Sequence, residues 1–367
     1  MKVLLLCWRD TTHPQGGGSE RYLERVAEHL VRQGHEVVYR TASYTDAPRR
    51  SMREGVRYSR SGGKLTVYPK AALAMLAGRL HLGTLAGVDV VVDTQNGIPF
   101  FARWFSGRPT VLLTHHCHRE QWPVAGPFLA RLGWWLESKV SPRAYRGAPY
   151  VTVSEPSKQE LVRLGVRDKD ITIIRNGVDA PPTYVPRLAD DGLTHLVTLS
   201  RLVPHKQIEH AIDVVRDLDG VVLDIIGSGW WEDRLREYAA EVGATKKVVF
   251  HGQVAEDHKH AQLEVAALHL MPSRKEGWGL AVIEAAQHGV PTIGYRSSGG
   301  LNDSVRDGET GLLVDSPEEM REKVVALLAD AKARQRLGSA AKLRAAEFSW
   351  EDTGARFEEL LQRLARR

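Results

Sequence analysis

Two glutamates with seven residues between them, Glu276 and Glu284, enclose the segment best suited to chemistry in this sequence. Between them, Gly277 and Gly279 lack side chains, so that a ligand can come close to the backbone. Amides at the start of a helix near Leu280 can bind an anionic phosphate. Carboxylates on both sides of that anion suit hydroxyl groups, such as those of a sugar and a ribose. The pattern predicts a site for a phosphorylated ligand with hydroxyl groups on either side.

A basic loop follows the predicted strand at 195–199. In it, Arg201 offers a planar guanidinium and Lys206 a compact point charge. Such a pair is suited to neutralising a diphosphate as it leaves a substrate. Because this loop and the glutamate segment both follow strands of the same predicted sheet, we expect them to act on one ligand.

Three consecutive glycines at 16–18 lie between the first predicted strand and the first predicted helix. Their amides could bind a phosphate or an acceptor, and a purely structural turn explains the run equally well. The run is not G-x-G-x-x-G, and no P-loop lysine follows it. A nicotinamide oxidoreductase is therefore disfavoured.

His115, His116 and His118 follow the predicted strand at 110–115. A histidine can orient a hydroxyl group or transfer a proton near neutral pH. Because neighbouring residues of an extended chain point to opposite sides, this cluster cannot complete a tetrahedral metal shell by itself. We expect a histidine that contacts the substrates, and no metal site.

The elements that must position these residues alternate between strand-like apolar runs and amphipathic helices, as in parallel α/β sheets. This alternation predicts two doubly wound, Rossmann-like domains that face a central cleft. We place the domains at 1–180 and 181–349, because the proline-containing segment 176–191 is typical of a linker. A last helix at 350–367 could pack toward the first domain. The predicted strands are 3–8, 36–39, 88–93, 110–115 and 150–154, then 195–199, 221–226, 248–250, 267–271 and 291–294, and the clearest helix is 19–33.

Positive charge is concentrated in the first half of the chain. Residues 1–179 carry 26 Lys and Arg against 16 Asp and Glu, and the remainder carries 24 against 29. Such a field attracts anionic partners, including phospholipid head groups, but a solvated surface explains it equally well. Trp122, Trp134 and Trp135 lie among these cations. They form an acceptor wall or a membrane-facing patch, or else belong to the core.

The opening apolar run is too short for a signal peptide, and charged residues interrupt the later apolar windows. Cys7 and Cys117 are too few for a disulfide framework. We therefore expect a cytoplasmic protein, with peripheral contact to the inner face of an anionic membrane as a further option.

In this order the motifs resemble family 4 of the retaining glycosyltransferases, which have the two-domain GT-B fold. The resemblance covers nearly the whole chain. It implies a UDP- or GDP-sugar donor held mainly by the second domain, a hydroxyl acceptor in the first domain, and no metal or other cofactor. The matching residues are Glu276 with Glu284, Arg201 with Lys206, the segments 16–21, 176–179, 289–291 and 308–314, and Gly299 with Gly300.

The resemblance also implies roles for single residues. Glu284 would hold the ribose, Glu276 the donor sugar, and Val254 would edge the base through backbone contacts. His115 falls at the family's active-site histidine, but His116 stands where many members carry aspartate, so the choice between them stays open. The residues expected to bind the donor are Gly17, Arg201, Lys206, Val254, Gly277, Trp278, Gly279, Leu280 and Glu284, and those expected to act in catalysis are His115, Glu276, Arg201 and Lys206.

The function implied is transfer of a mannose, glucose or N-acetylglucosamine type of hexose to a glycan, glycolipid or small metabolite. A front-face reaction would retain the anomeric configuration, with the leaving diphosphate helping to deprotonate the acceptor. One alternative is a nucleotide-sugar epimerase or hydrolase, which would consume the donor without an acceptor. Another is a non-catalytic sugar-binding protein. The sequence has no stacking motif for nucleic acid.

Overall fold

Two units of mutually contacting residues make up the chain in the computed structural model, which describes residues 1–14, 16–119, 122 and 126–366. The first unit comprises Met1–Gly177 and Ser349–Arg367, and the second comprises Val178–Phe348. Gln15 of the predicted glycine loop and Arg367 of the predicted last helix lie outside the described residues. In the part of the chain that is described, no helix has the length and apolar character needed to cross a membrane.

A mixed sheet of eight strands forms the centre of the first unit. Its strands are β1 (Lys2–Leu6), β2 (Glu36–Thr41), β3 (Arg50–Arg53), β4 (Val56–Arg60), β5 (Val90–Thr94), β6 (Thr110–Leu113), β7 (Tyr150–Thr152) and β8 (Ile171–Ile173). They lie in the order β3-β4-β2-β1-β5-β6-β7-β8. Every neighbouring pair is parallel except β3 with β4. The central strands were predicted from their apolar runs, which are buried as a fully covered parallel sheet requires.

The hairpin of β3 and β4 was not predicted, and its antiparallel pairing adds one strand to the edge of the parallel strands. Its turn residues Glu54 and Gly55 both have positive φ, 47° and 74°, as a two-residue type I′ turn requires. The hairpin escaped prediction because β3 is rich in arginine and alternates between exposed and half-buried residues. The β8 strand, with three residues, is too short to show a pattern.

In the residues that the structure describes, six α-helices lie between the strands of this sheet. They are α1 (Gly18–Arg32), α2 (Val67–Arg79), α3 (Ala102–Phe105), α4 (Pro127–Trp135), α5 (Ser141–Ala144) and α6 (Glu155–Arg163). A π-helical segment, Leu136–Val140, joins α4 to α5. The helix predicted at 19–33 is confirmed as α1, whose buried face includes Tyr22, Val26 and Leu30.

The second unit contains an all-parallel sheet in the order β11-β10-β9-β12-β13-β14. Its strands are β9 (Thr194–Leu199), β10 (Val221–Ile226), β11 (Val248–Gly252), β12 (Ala266–Met271), β13 (Thr292–Tyr295) and β14 (Gly311–Val314). Its helices are α7 (Ile208–Arg216), α8 (Glu232–Glu241), α9 (Glu256–Val265), α10 (Leu280–Gln287), α11 (Leu301–Ser304), α12 (Pro317–Ala329) and α13 (Ala331–Ala345). Leu196, Leu223, Leu268 and Ile293 lie within one fully buried core that holds these elements together.

The last helix, α14 (Trp350–Ala365), packs on α1 and so belongs to the first unit by its contacts. Gly354 allows the close approach, because a Cβ atom there would lie 2.3 Å from the ring of His29. Glu358 then reaches two histidines, with distances of 3.1 Å to His29 Nε2 and 2.9 Å to His35 Nε2.

Candidate functional site

The two central strands of the second sheet bring the basic loop and the glutamate loop together. β9 leads into the loop with Lys206, β12 leads into the loop with Glu276, and the two strands pair directly. On one side of this pair the chain continues from β9 to β10 and β11, and on the other side it continues from β12 to β13 and β14. Ligands of open α/β sheets bind beyond the carboxyl ends of the strands at such a point of reversal.

Lys206 and Glu276 form an ion pair at this point. Lys206 Nζ donates to Glu276 Oε1 over 2.5 Å, and the side chains are only 13% and 10% exposed. The loops are also joined through their backbones, since the Arg274 N–H donates to the carbonyl of His205 at 2.9 Å. An anionic ligand that enters here must compete with Glu276 for the ammonium group of Lys206.

Glycines are required where the glutamate loop meets a neighbouring loop. Gly279 precedes α10 with a φ of +92°, in the left-handed region that favours glycine. A Cβ atom on Gly300 would lie 2.4 Å from the carbonyl carbon of Gly277. Glu276 is held between the loops, because its N–H donates to the Ser298 carbonyl at 2.9 Å and its carbonyl accepts from Gly300 at 3.0 Å. The close packing fixes the backbone of Glu276 beside the start of α10.

Lys259 is the functional candidate that sequence reasoning missed. It lies on α9, where its Nζ donates to Glu284 Oε1 and to Glu256 Oε2, both at 2.7 Å. Burial alone would lower the pKa of Lys259, but the two carboxylates outweigh burial and raise it. Its ammonium group therefore stays charged and holds the carboxylate of Glu284. The sequence shows only that Glu256 and Lys259 are three residues apart on a helix, and the contact to Glu284 depends on helix packing.

Arg201 is exposed and lies in a loop whose path is set by tight backbone packing. A Cβ atom on Gly227 would lie 1.9 Å from the Ser200 carbonyl oxygen, so only glycine fits there. The N–H of Leu202 donates to the Ser228 carbonyl at 3.0 Å. The loops after β9 and β10 therefore support each other and present the guanidinium of Arg201 at the surface of the unit.

The other predicted donor contacts of this unit differ in what they offer a ligand. The ring of Trp278 is only 3% exposed and meets Phe348 edge-on at 4.8 Å between ring centroids. Within the described residues, the indole Nε1 of Trp278 is buried and has no hydrogen-bond partner, so Trp278 can offer a ligand this N–H as well as its backbone. Val254 is half-buried and packs against a core cluster, and Leu280 is the first residue of α10.

Gly17, in the first unit, immediately precedes α1, and its N–H donates to Glu20 Oε2 at 2.9 Å. Glu20 is fully buried and also pairs with Arg9 at 3.0 Å. The amide of Gly17 is thus already engaged in capping the helix. A ligand that used this amide would have to displace the carboxylate of Glu20.

His115 lies two residues after the end of β6, and only 6% of its surface is exposed. Burial lowers the pKa of its imidazole to about 4, so the ring is neutral at neutral pH. The Tyr22 ring meets it edge-on at 5.1 Å. Within the described part of the chain, His115 Nε2 is buried and has no hydrogen-bond partner. An unsatisfied buried nitrogen of this kind points to a bound ligand or water.

The other two histidines are arranged differently. His116 stacks on His118 with 4.5 Å between ring centroids. His118 Nδ1 lies 3.2 Å from Glu137 Oε1, and its backbone N–H donates to the same oxygen at 2.9 Å. Among the residues that are described, no group of three or more His, Cys, Asp or Glu side chains could hold a metal ion.

The three tryptophans that were considered as one patch separate in the structure. Trp122 Nε1 donates to the buried Glu137 over 2.6 Å, and Trp134 packs against a core cluster of the first unit. Trp135 is 54% exposed. Trp134 therefore belongs to the core, whereas Trp135 lies at the surface.

Comparisons with known proteins identify the family and the fold of the chain. The family model described as Glycosyltransferase Family 4 matches residues 16–180, and the model described as Glycosyl transferases group 1 matches residues 186–344. Sucrose-phosphate synthase from Thermosynechococcus elongatus superposes with a TM-score of 0.81 at 20% identity, covering 99% of this chain and 98% of the other. Anabaena HepE in complex with UDP-glucose superposes with a TM-score of 0.78 at 18% identity, over 99% and 100%.

Two of the curated relatives are similar over almost their full lengths. The GDP-mannose-dependent alpha-(1-6)-phosphatidylinositol monomannoside mannosyltransferase of Mycolicibacterium smegmatis is 28% identical over 95% of both chains. A glycogen synthase of Mycobacterium tuberculosis is 26% identical, over 96% of this chain and 92% of the relative. Two doubly wound domains with these matches define a glycosyltransferase of the GT-B fold. The chain belongs to glycosyltransferase family 4.

Proposed function

We propose that this glycosyltransferase moves a hexose from a UDP- or GDP-sugar to a hydroxyl acceptor with retention of the anomeric configuration. The observation that carries the proposal is the Lys206–Glu276 ion pair, which lies beside the glycine-preceded start of α10 at the point of strand reversal. A diphosphate suits this position, because it can bind a cation and the free amides of a helix start together.

The donor would lie between two carboxylates. Glu284, which Lys259 holds in place, would accept hydrogen bonds from the ribose hydroxyls, and Glu276 would accept them from the donor sugar. Lys206 and Arg201 would bind the diphosphate. The base would lie near Val254, and the backbone amides from Gly277 to Leu280 would complete the anion site. The contribution of Gly17 would require release of its amide from Glu20.

In the proposed reaction, the acceptor oxygen bonds to the anomeric carbon on the face from which the diphosphate departs. The bond between that carbon and the diphosphate oxygen breaks, and its electron pair stays with the diphosphate. The acceptor proton passes to an oxygen of the diphosphate. Lys206 and Arg201 stabilise the developing charge, so that neither a protein nucleophile nor a carboxylate base is required.

We assign the active-site histidine role to His115 rather than His116. The support is the buried, unsatisfied Nε2 of His115 and its low pKa, which keeps the ring neutral. A neutral imidazole can donate or accept one hydrogen bond with a sugar hydroxyl. It would therefore orient the reacting groups, and it would not supply a positive charge.

A panel of UDP- and GDP-hexoses tests the proposal, first by thermal shift and then by transfer to glycan, glycolipid and small hydroxyl acceptors. Both donor classes are included because one relative is named for GDP-mannose and HepE was crystallised with UDP-glucose. We expect one class to stabilise the protein and to yield a product with retained configuration. Inverted product, or full consumption of the donor without an acceptor, would contradict the proposal.

Metal independence is part of the proposal, because Lys206 and Arg201 would supply the positive charge that a divalent ion provides elsewhere. Transfer should therefore continue at an unchanged rate after treatment with a chelator. Loss of activity that only a divalent ion restores would refute this part of the proposal.

A further inference from the structure

An unusual amount of apolar surface is exposed on α4 of the first unit. Phe128 is 76% exposed, Leu129 50%, Leu132 41% and Trp135 54%. Their positions differ by one, three and three, and this spacing places them on one face of the helix. Transfer of each of these side chains from water to an apolar environment would be favourable. A contiguous apolar face of this kind is typical of an interaction surface.

The exposed face continues onto α3. Trp104 is 53% exposed and lines the same surface cavity as Trp135, together with Lys139 and Arg143. The cavity has a volume of about 480 Å³. We call Trp104, Phe128, Leu129, Leu132 and Trp135 the apolar face.

Positive charge predominates in the part of the sequence that forms the apolar face, and Lys139 and Arg143 line the cavity with Trp104 and Trp135. Within residues 94–146 the sequence contains seven Lys and Arg but only two acidic residues, Glu120 and Glu137. Glu137 is fully buried and accepts hydrogen bonds from Trp122 and His118, whereas Glu120 lies outside the described residues. The cations are Arg103, Arg108, Arg119, Arg131, Lys139, Arg143 and Arg146.

From this combination we infer that the apolar face docks on an anionic lipid bilayer. Leucine, phenylalanine and tryptophan side chains insert at the boundary between head groups and acyl chains, while lysine and arginine at the rim bind lipid phosphates. A second copy of the chain is a poorer occupant, because it would place two strongly positive rims against each other. The inference does not depend on the donor site, which lies in the other unit.

Vesicle flotation tests the inference with single substitutions Phe128→Gln, Leu132→Gln and Trp135→Gln. The wild-type protein should float with phosphatidylcholine vesicles that contain phosphatidylglycerol, and each substitution should lower its partition coefficient by about tenfold. Arg131→Glu should have a similar effect of about tenfold, which added salt should also produce in the wild type. Because all these side chains are exposed, thermal stability should be unchanged.

Leu343→Gln provides a matched control in the second unit. Leu343 is 75% exposed and lies between Lys342 and Arg344. It is therefore an exposed apolar side chain beside positive charge, like those of the apolar face, but it is not part of that face. It should bind vesicles like the wild type. The inference is overturned if the wild type does not float, if it binds equally well without phosphatidylglycerol, or if Leu343→Gln is as defective as Phe128→Gln. A dimer in sedimentation that the same substitutions dissociate, without vesicle binding, would also overturn it.

Discussion

Replacing Lys259 by methionine isolates the contact that positions Glu284. The substitution keeps the length of the side chain but removes the ammonium group from both carboxylates, each 2.7 Å away. A charge-assisted hydrogen bond between side chains as buried as these, 10% and 18% exposed, contributes about 2 kcal/mol. If Glu284 binds the ribose, its loss of orientation should weaken donor binding by about thirtyfold. The turnover number should change much less, because Lys259 touches neither the diphosphate nor the reacting carbon in the proposed mode of binding.

Calorimetry with the donor identified by the panel measures this effect in Lys259→Met, Glu284→Gln and the double variant. Since Lys259 acts through Glu284, the double variant should bind the donor no more weakly than Glu284→Gln does alone, within about threefold. Lys332→Met, on the exposed side of α13, is the matched control and should bind normally. Additive losses in the double variant would refute the positioning role, and normal donor affinity in Glu284→Gln would remove Glu284 from the ribose site.

Four further outcomes are expected. Glu276→Gln releases Lys206 from its partner, so UDP or GDP alone should bind about tenfold more tightly by calorimetry while transfer falls; weaker nucleotide binding would contradict the competition described above. Lys206→Ala and Arg201→Ala should each lower kcat by about a hundredfold, and wild-type turnover in either would exclude that residue from the diphosphate site. The Tm should be unchanged in Arg201→Ala, because Arg201 is exposed, but lower in Lys206→Ala, which leaves the mostly buried Glu276 without its partner. Gly300→Ala should destabilise the protein by about 3 kcal/mol, whereas Gly63→Ala, where the added methyl group meets open space, should not; equal Tm values would show that the glutamate loop is not tightly packed. The folded-state pKa of His115, about 4, lies below its ordinary value of 6.5, so the unfolded chain binds more protons between these values and stability falls as pH drops through them. Between pH 7 and pH 5 the free energy of unfolding of His115→Asn, measured by urea titration, should therefore fall by about 2 kcal/mol less than that of the wild type. Equal decreases in the two proteins would contradict the argument that burial lowers the pKa of His115.

The parts of the fold that the sequence predicted are those in which one physical effect dominates. The strands β1 and β10 are short apolar runs that are buried along almost their whole length, and burial alone explains their composition. The glycines of the glutamate loop and of the loop beside it were also informative, because Gly279 has a positive φ and Gly300 has no room for a side chain. In contrast, β3 is stabilised by a tight turn and by pairing with β4, which its arginine-rich sequence does not reveal.

The parts of the candidate site that escaped prediction depend on contacts between distant residues. The pairing of Lys259 with Glu284 joins two helices, and nothing in the spacing of these residues indicates it. The capping of Gly17 by Glu20 is different, because a glutamate three residues after the capping position is a local signal that was available in the sequence. Trp134 and Trp135 are adjacent in the chain, yet one packs inside and the other is exposed, since their directions are set by the helix.

Two of the ion pairs in the second unit give the proposed donor site a specific property. Each cation is paired with the carboxylate that is expected to hold hydroxyl groups: Lys206 with Glu276, and Lys259 with Glu284. Before the donor binds, these mostly buried charges compensate each other, which avoids the cost of an isolated buried charge. A nucleotide sugar supplies both kinds of partner at once, a diphosphate for Lys206 and hydroxyl groups for the carboxylates. A ligand with only one of these parts would leave a charge without its partner, so this arrangement favours the complete donor over free sugar or inorganic phosphate.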